Sequence, residues 1–192
     1  MFDAESHRFL VNLPLSEAAV EAFEREHRVS LPSDYRRFLT EIGNGGAGPF
    51  YGVFPLGVMD DNFGLRTWSE NDGTVGVLSE PFPYEKEWND LSGQPNDALL
   101  ETDEAEYNRR LELFSDSYWC SSHVNGAIPI CHEGCALRVW LVLNGSQAGC
   151  LWRDLRSEFA GLKPIQTADG SPATFASWYG EWLGNVSAPK QR

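Results

Sequence analysis

The sequence predicts an α+β fold: an antiparallel-rich mixed sheet flanked by two N-terminal helices and one C-terminal helix. Three observations carry that prediction. Apolar residues recur at helical spacing between Leu15 and Ile42, the period becomes that of strands between Ala127 and Asp154, and a helical stripe returns from Phe175 to Leu183. Helices, then consecutive strands, then a closing helix is the order of an antiparallel sheet with helices set beside it. No repeated strand–helix–strand unit appears, which argues against a doubly wound nucleotide-binding fold. All 192 residues are read as one domain, with a diverged acidic middle segment at 60–116.

Taken in order, Ser16 is placed to cap the first helix, with Leu15 and Val20 at the staple positions around it, and the helix should run to about His27. In residues 31–42, Leu31, Tyr35, Phe38, Leu39 and Ile42 fall on one helical face. Pro32 suits the first helical position, where an N–H would lack a partner anyway. Gly43, Asn44, Gly45 and Gly46 accept the left-handed backbone that stops a helix. Residues 51–56, with Pro55, read as an edge strand or the start of a loop. Residues 73–78 read as a further strand, and 79–101, with Pro81, Pro83, Gly93 and Pro95, as mostly irregular. Thr102 or Asp103 then caps a helix whose apolar face is Tyr107, Leu111, Phe114 and Tyr118.

Residues 127–130 form a strand, and the nearly all-apolar run 136–143 reads as a central strand buried on both sides. Asn144-Gly145 signals a two-residue hairpin, with 147–154 as the return strand. The last helix, capped near Ser171-Pro172, presents Phe175, Trp178, Tyr179, Trp182 and Leu183, and 185–192 read as a frayed tail.

Composition narrows the function. Hydrophobic content of 42%, with seven Trp, eleven Phe and six Tyr, belongs to a folded globule. No apolar run reaches the roughly 20 residues of a membrane span. The start, Met1-Phe2-Asp3-Ala4-Glu5-Ser6, lacks a secretion signal, so a cytoplasmic protein with reduced thiols is expected. The net charge of −13 is uneven: residues 60–116 hold 15 acids against Arg66, Lys86, Arg109 and Arg110. Such a field repels nucleic acid and anionic membranes and attracts basic proteins. The plain alternative is that the acids only keep the protein soluble.

Chemical motifs are sparse. The cluster Gly43 to Gly48 follows a helix, opens none and has no lysine nearby, unlike a phosphate loop. Cys120, His123, Cys131 and Cys135, with His132 among them, raise the question of zinc. Cys131 and Cys135 lack the spacing of a zinc knuckle and suit small buried thiols at strand ends, and the sequence leaves metal binding open. Neither a Gly-x-Ser-x-Gly elbow nor a His-Glu-x-x-His pair is present, so no catalytic residue is assigned and no enzyme or cofactor is expected. Trp140, Trp152, Trp178 and Trp182 are read as core, whereas Trp68, Trp88 and Trp119, in the acidic part of the chain, would anchor an interface if exposed. The candidate partner-binding residues are therefore Asp60, Asp61, Trp68, Glu70, Asp72, Trp88, Glu101, Asp103 and Glu104.

Leu31-Pro32-Ser33-Asp34-Tyr35-Arg36-Arg37-Phe38-Leu39, the glycine-rich exit through Gly48-Pro49, and Tyr51-Gly52 with Pro55-Leu56 resemble the N-terminal signature of the SUKH superfamily. Ile128-Pro129-Ile130, Gly134-Cys135, Trp140 to Gly145, Gly149-Cys150-Leu151-Trp152 and the helix around Phe175 to Tyr179 are similar to its strand pair and last helix. The resemblance covers roughly 12–58 and 126–184 and leaves 60–116 unmatched. It implies an α+β fold, no catalytic residues, and, for bacterial members, neutralisation of a toxin, often a basic nuclease. The expectation is a cytoplasmic bacterial immunity protein that binds a cognate polymorphic toxin domain through protein–protein contacts, as a monomer or weak homodimer. The alternative is a non-catalytic regulatory or scaffold protein of the same fold with an unrelated protein partner, as the fungal cell-wall synthesis regulators of the superfamily imply.

Overall fold

A computed structural model describes residues 7–61 and 64–187. The first helix, α1 (Glu17–His27), begins where Ser16 Oγ accepts the Ala19 N–H at 3.2 Å and ends where Arg28 turns left-handed. The second, α2 (Ser33–Arg37), passes into a π turn, Phe38–Ile42, closed by the Gly43 N–H on Phe38 O at 2.9 Å. The wider turn shifts the phase of the stripe. Leu31, Tyr35, Phe38 and Leu39 are buried as predicted, but Ile42 rotates out and is 52% exposed. Two further expectations change here. Pro32 stands at the N-cap with extended backbone, one place before the first helical residue, and Gly43 is extended, so the left-handed residues are Gly45 and Gly46. Gly46 bridges Val11 on one side and Val53 on the other, and a Cβ there would lie 2.8 Å from the Val11 Cα, which requires glycine.

The central sheet is an antiparallel meander in the order β3 (Ala127–Gly134), β4 (Leu137–Val142), β5 (Leu151–Asp154), β6 (Leu162–Pro164). Trp140 stands opposite Trp152, so both rings share one face, and Trp152 meets Phe82 edge-on at 4.9 Å. The predicted two-residue hairpin at Asn144-Gly145 is instead a loop from 143 to 150, and β5 starts at Leu151. Asn144 is occupied elsewhere: its side-chain amide donates to Ser79 O at 2.7 Å and its carbonyl accepts the Phe82 N–H at 2.9 Å, strapping residues 79–82 to the sheet. Along the outer edge of β3, residues 51–54 form isolated bridges and bonds in place of a full strand, including Val53 opposite Cys131 and the Phe54 N–H on Ile130 O at 2.8 Å.

A separate hairpin, β1 (Val58–Asp61) with β2 (Gly64–Thr67), was not anticipated, nor was β6. Residues 73–78 form no strand, because side chains consume their amides. The N–H groups of Thr74 and Val75 donate to Asp72 Oδ1, that of Val77 to Asn125 Oδ1 and that of Leu78 to Glu70 Oε2. An amide already bonded to a side chain cannot join a ladder.

Two helices follow in tandem, α3 (Asp97–Thr102), also unanticipated, and α4 (Glu104–Tyr118). The last helix, α5 (Phe175–Ser187), is capped by Thr174 and not near Ser171: Thr174 Oγ1 accepts the Ser177 N–H at 3.3 Å, and Ser177 Oγ accepts the Thr174 N–H at 2.9 Å. Phe175 and Tyr179 pack on Tyr35 and Phe38 of the α2 region with ring centroids 4.9–5.0 Å apart. Leu183, placed on the inward stripe by spacing alone, is 43% exposed beyond the reach of the sheet. The helix continues through 185–187, and the rest of the expected tail lies outside the described residues. No helix among those described is long and apolar enough to cross a membrane.

Candidate protein-interaction surface

Two groups of acids in the middle segment are put to different uses. In the first, each described carboxylate has a partner inside the fold. Asp60, on β1, takes His132 Nδ1 at 2.8 Å and Arg138 at 3.3 Å, which ties the small hairpin to β3 and β4. Glu70 takes His27 Nδ1 at 2.6 Å and the Leu78 N–H at 3.1 Å, joining α1 to the loop below it. Asp72 takes Arg66 at 3.0 Å together with three backbone amides, those of Ser69, Thr74 and Val75, and against the opposing effect of burial these bonds hold its pKa below the ordinary carboxylate value. Asp61 closes β1 opposite Gly64.

The second group lies on α3 and α4. Asn96 Oδ1 caps α3 by accepting the Ala98 N–H, and Asp103 Oδ1 caps α4 by accepting the Glu106 N–H at 3.0 Å. Glu101, Asp103 and Glu104 are exposed, as are Asp97, Glu112 and Asp116. The two local arginines do not neutralise them. Glu106 accepts Arg109 and Arg110 at 2.7 Å each, Arg109 being the stronger influence, and its pKa falls to about 2. Residues 97–116 thus present a pair of helices with a net negative face.

This pair is held at its base. Phe114 and Tyr118 are buried, while Leu111, on the predicted inward stripe, is exposed. Below them lies a buried ion pair: Arg156 Nη2 reaches Asp154 Oδ2 at 2.7 Å, Nη1 donates to Tyr118 O at 3.4 Å, and Trp140 Nε1 donates to the same carboxylate. The Arg156 guanidinium also sits 5.3 Å from the Trp119 ring, which is partly exposed.

The tryptophans divide similarly. Trp68 is 8% exposed and packs edge-on to Phe23, so its ring belongs to the core and offers no outer surface. Trp88 is half-buried, stacked on His123 at 4.1 Å, Tyr84 at 5.3 Å and Tyr118 at 5.4 Å. His123 Nε2 faces Ser117 O, which only accepts, so the neutral ring carries its proton there and Nδ1 accepts from the Tyr84 hydroxyl. Burial lowers the His123 pKa and pushes Tyr84 up to about 12. With His123 so engaged, Cys131 buried near Pro49 and Cys135 exposed, the Cys/His set does not converge. Among the described residues no group of three or more His, Cys, Asp or Glu side chains could hold a metal ion.

Leu113 is the residue that sequence reasoning passed over. It stands two places from Leu111, off the inward stripe, and that misfit is the signal that could have found it. It lines a cleft of about 360 Å³ with Trp88, Phe114 and Tyr118. A larger groove of about 730 Å³, lined by Phe50, Ile165, Trp178 and Trp182, contains none of the middle-segment carboxylates.

An antiparallel meander beside helices defines a domain of the α+β class. The chain belongs to the SMI1 / KNR4 family (SUKH-1), whose profile matches residues 14–159. The match runs through the acidic middle segment, which resemblance by motif had left out, and stops before α5. Members of this family are generally non-catalytic immunity or regulatory proteins. Searches of curated proteins and of solved structures found no match.

Proposed function

We propose that this chain is a bacterial immunity protein that works in the cytoplasm by binding and neutralising a cognate polymorphic toxin, a basic nuclease domain being the toxin class that fits best. One observation carries the reading: the acids of α3 and α4 other than Glu106 stand exposed, while Asp60, Glu70 and Asp72 are used inside the fold. A nuclease grips phosphate with cations, and an anionic inhibitor is steered to such a site and covers it. Family membership supports a protein partner.

The test is titration with the toxin domain encoded beside this gene. A complex whose association slows as salt rises, with loss of toxin activity, is the expected result. No complex, or a complex indifferent to neutralising Glu101, Asp103 and Glu104 together, would overturn the surface assigned. A gene neighbourhood with no toxin would favour a regulatory or scaffold protein of the same fold.

A further inference from the structure

The cleft at the root of α4 has fixed apolar walls. Trp88 cannot swing to fill it, because Tyr84, Tyr118 and His123 stack against its ring and its backbone exchanges both hydrogen bonds with Leu162 at 2.8–2.9 Å. Phe114 and Tyr118 are buried from below, yet Leu113 on the open side is 57% exposed. The rim is polar. Arg110 stands there with its charge directed to Glu106, whereas Asp90 accepts from the side chain and the N–H of Ser92, the latter at 3.0 Å, and forms no ion pair among the described residues. Glu112 and Asp116, exposed on α4, carry the same sign. The result is an apolar hole with Asp90 and Arg110 at its rim and further exposed acids on α4.

We propose that this cleft receives an aliphatic or aromatic side chain of the protein partner, presented on a lysine- and arginine-rich surface. The inference rests on the binding function proposed above and names where and how the partner is anchored. The exposed acids select a basic surface by charge complementarity. A second copy of this chain, at −13, would bring like charge against like. The walls select what that surface carries at its centre, since an ammonium group seated among Trp88, Leu113 and Phe114 would lose water, while Asp90 stands exposed at the rim. An anchor enclosed in a pocket and ringed by charged contacts is the usual form of a binding hot spot.

Gly93 makes a clean test possible. It lines the cleft, and a Cβ there would make an ordinary contact with Phe114 Cδ2 at 3.5 Å, so Gly93→Leu plugs the hole with little disturbance. The full chain is titrated with a lysine- and alanine-rich helical peptide bearing one central phenylalanine, and with the same peptide bearing alanine there, by calorimetry and by amide shifts. The phenylalanine peptide should bind roughly tenfold tighter, the factor that about 1.4 kcal/mol of anchor burial supplies. It should perturb residues 88–93 and 110–118. Gly93→Leu and Leu113→Ser should each remove that advantage and leave the affinity of the alanine peptide unchanged. Equal affinities, or perturbations centred on Trp178 and Trp182, would overturn the cleft and leave the basic-partner reading standing. If neither peptide binds, the basic-partner reading falls and the cleft with it.

Discussion

Asp60 and Glu101 belong to the same acidic segment and carry the same charge, yet the fold puts them to opposite uses. Asp60 closes an ion pair with His132 and Arg138 and fastens the β1–β2 hairpin to the sheet, and Glu70 and Asp72 fasten their loop in the same way. Glu101, with Asp103 and Glu104, is exposed at the junction of α3 and α4, and the two arginines of α4 are held by Glu106. The difference lies in what each backbone can reach. Residues 60–78 fold across the sheet and α1, where cations and bare amides await a carboxylate. Residues 97–118 make two helices whose buried residues are Phe114 and Tyr118. Net charge alone therefore does not locate a binding surface. What matters is the charge left over once the fold has used its share.

The largest effect should come from cutting the root that joins the two regions. Arg156 is 4% exposed and is the main partner of Asp154, so Arg156→Met strands a buried carboxylate. Urea denaturation should show a loss of about 3–5 kcal/mol. Amide exchange should rise first in α4, because Tyr118 O loses its donor. A loss below 1 kcal/mol would mean that the helices are held without this pair. Next come the carboxylates used in the fold. Asp60→Asn and Glu70→Gln should each cost about 1–3 kcal/mol, the range for a charged hydrogen bond broken at a part-buried site, and neither should alter the affinity for a basic partner.

Much of this could be read from sequence, for local reasons. Ser16 before an amphipathic run, Asp103 before Tyr107 to Tyr118, and the apolar run feeding β4 are signals contained within one element, and all three appear where expected. The failures involve distant partners. Asn125 lies 48 positions from the Val77 amide that it takes, and nothing near residues 73–78 announces it. Nothing near Asn144 shows that it will hold residues 79–82 rather than turn a tight hairpin. The site follows the same rule. Glu101, Asp103 and Glu104 needed only composition and a helix cap, whereas separating them from Asp60, Glu70 and Asp72 required knowing where His27, His132 and Arg138 would arrive.

A smaller effect is expected at the ring stack beside the cleft. Burial lowers the His123 pKa in the folded protein, so the unfolded chain binds the extra proton more readily. The sign follows: the contribution of this group is complete above about pH 6.5, its unfolded value, and is lost as pH falls from there toward the lower folded value. Stability measured from pH 7.5 downward should therefore decline, and His123→Gln should flatten that part of the curve. An unchanged slope in the variant would assign the acid sensitivity to groups other than His123.

The smallest effect on stability should come from the residues on which the proposed binding depends. Glu101→Gln, Asp103→Asn and Glu104→Gln, made together, remove three exposed charges and break no ion pair among the described residues, and asparagine at 103 still caps α4. Unfolding free energy should change by less than about 0.5 kcal/mol, either way, since relief of repulsion offsets the weaker attraction to the helix N-terminus. Association with a basic partner should slow by roughly tenfold at low salt and hardly at all near 1 M, where the Debye length falls to about 3 Å. Asp60→Asn supplies the opposite pattern, stability lost and association kept. If the two variants behaved alike, the division of the acidic segment into used and unused charge would fail, and the whole segment would have to be treated as a diffuse field.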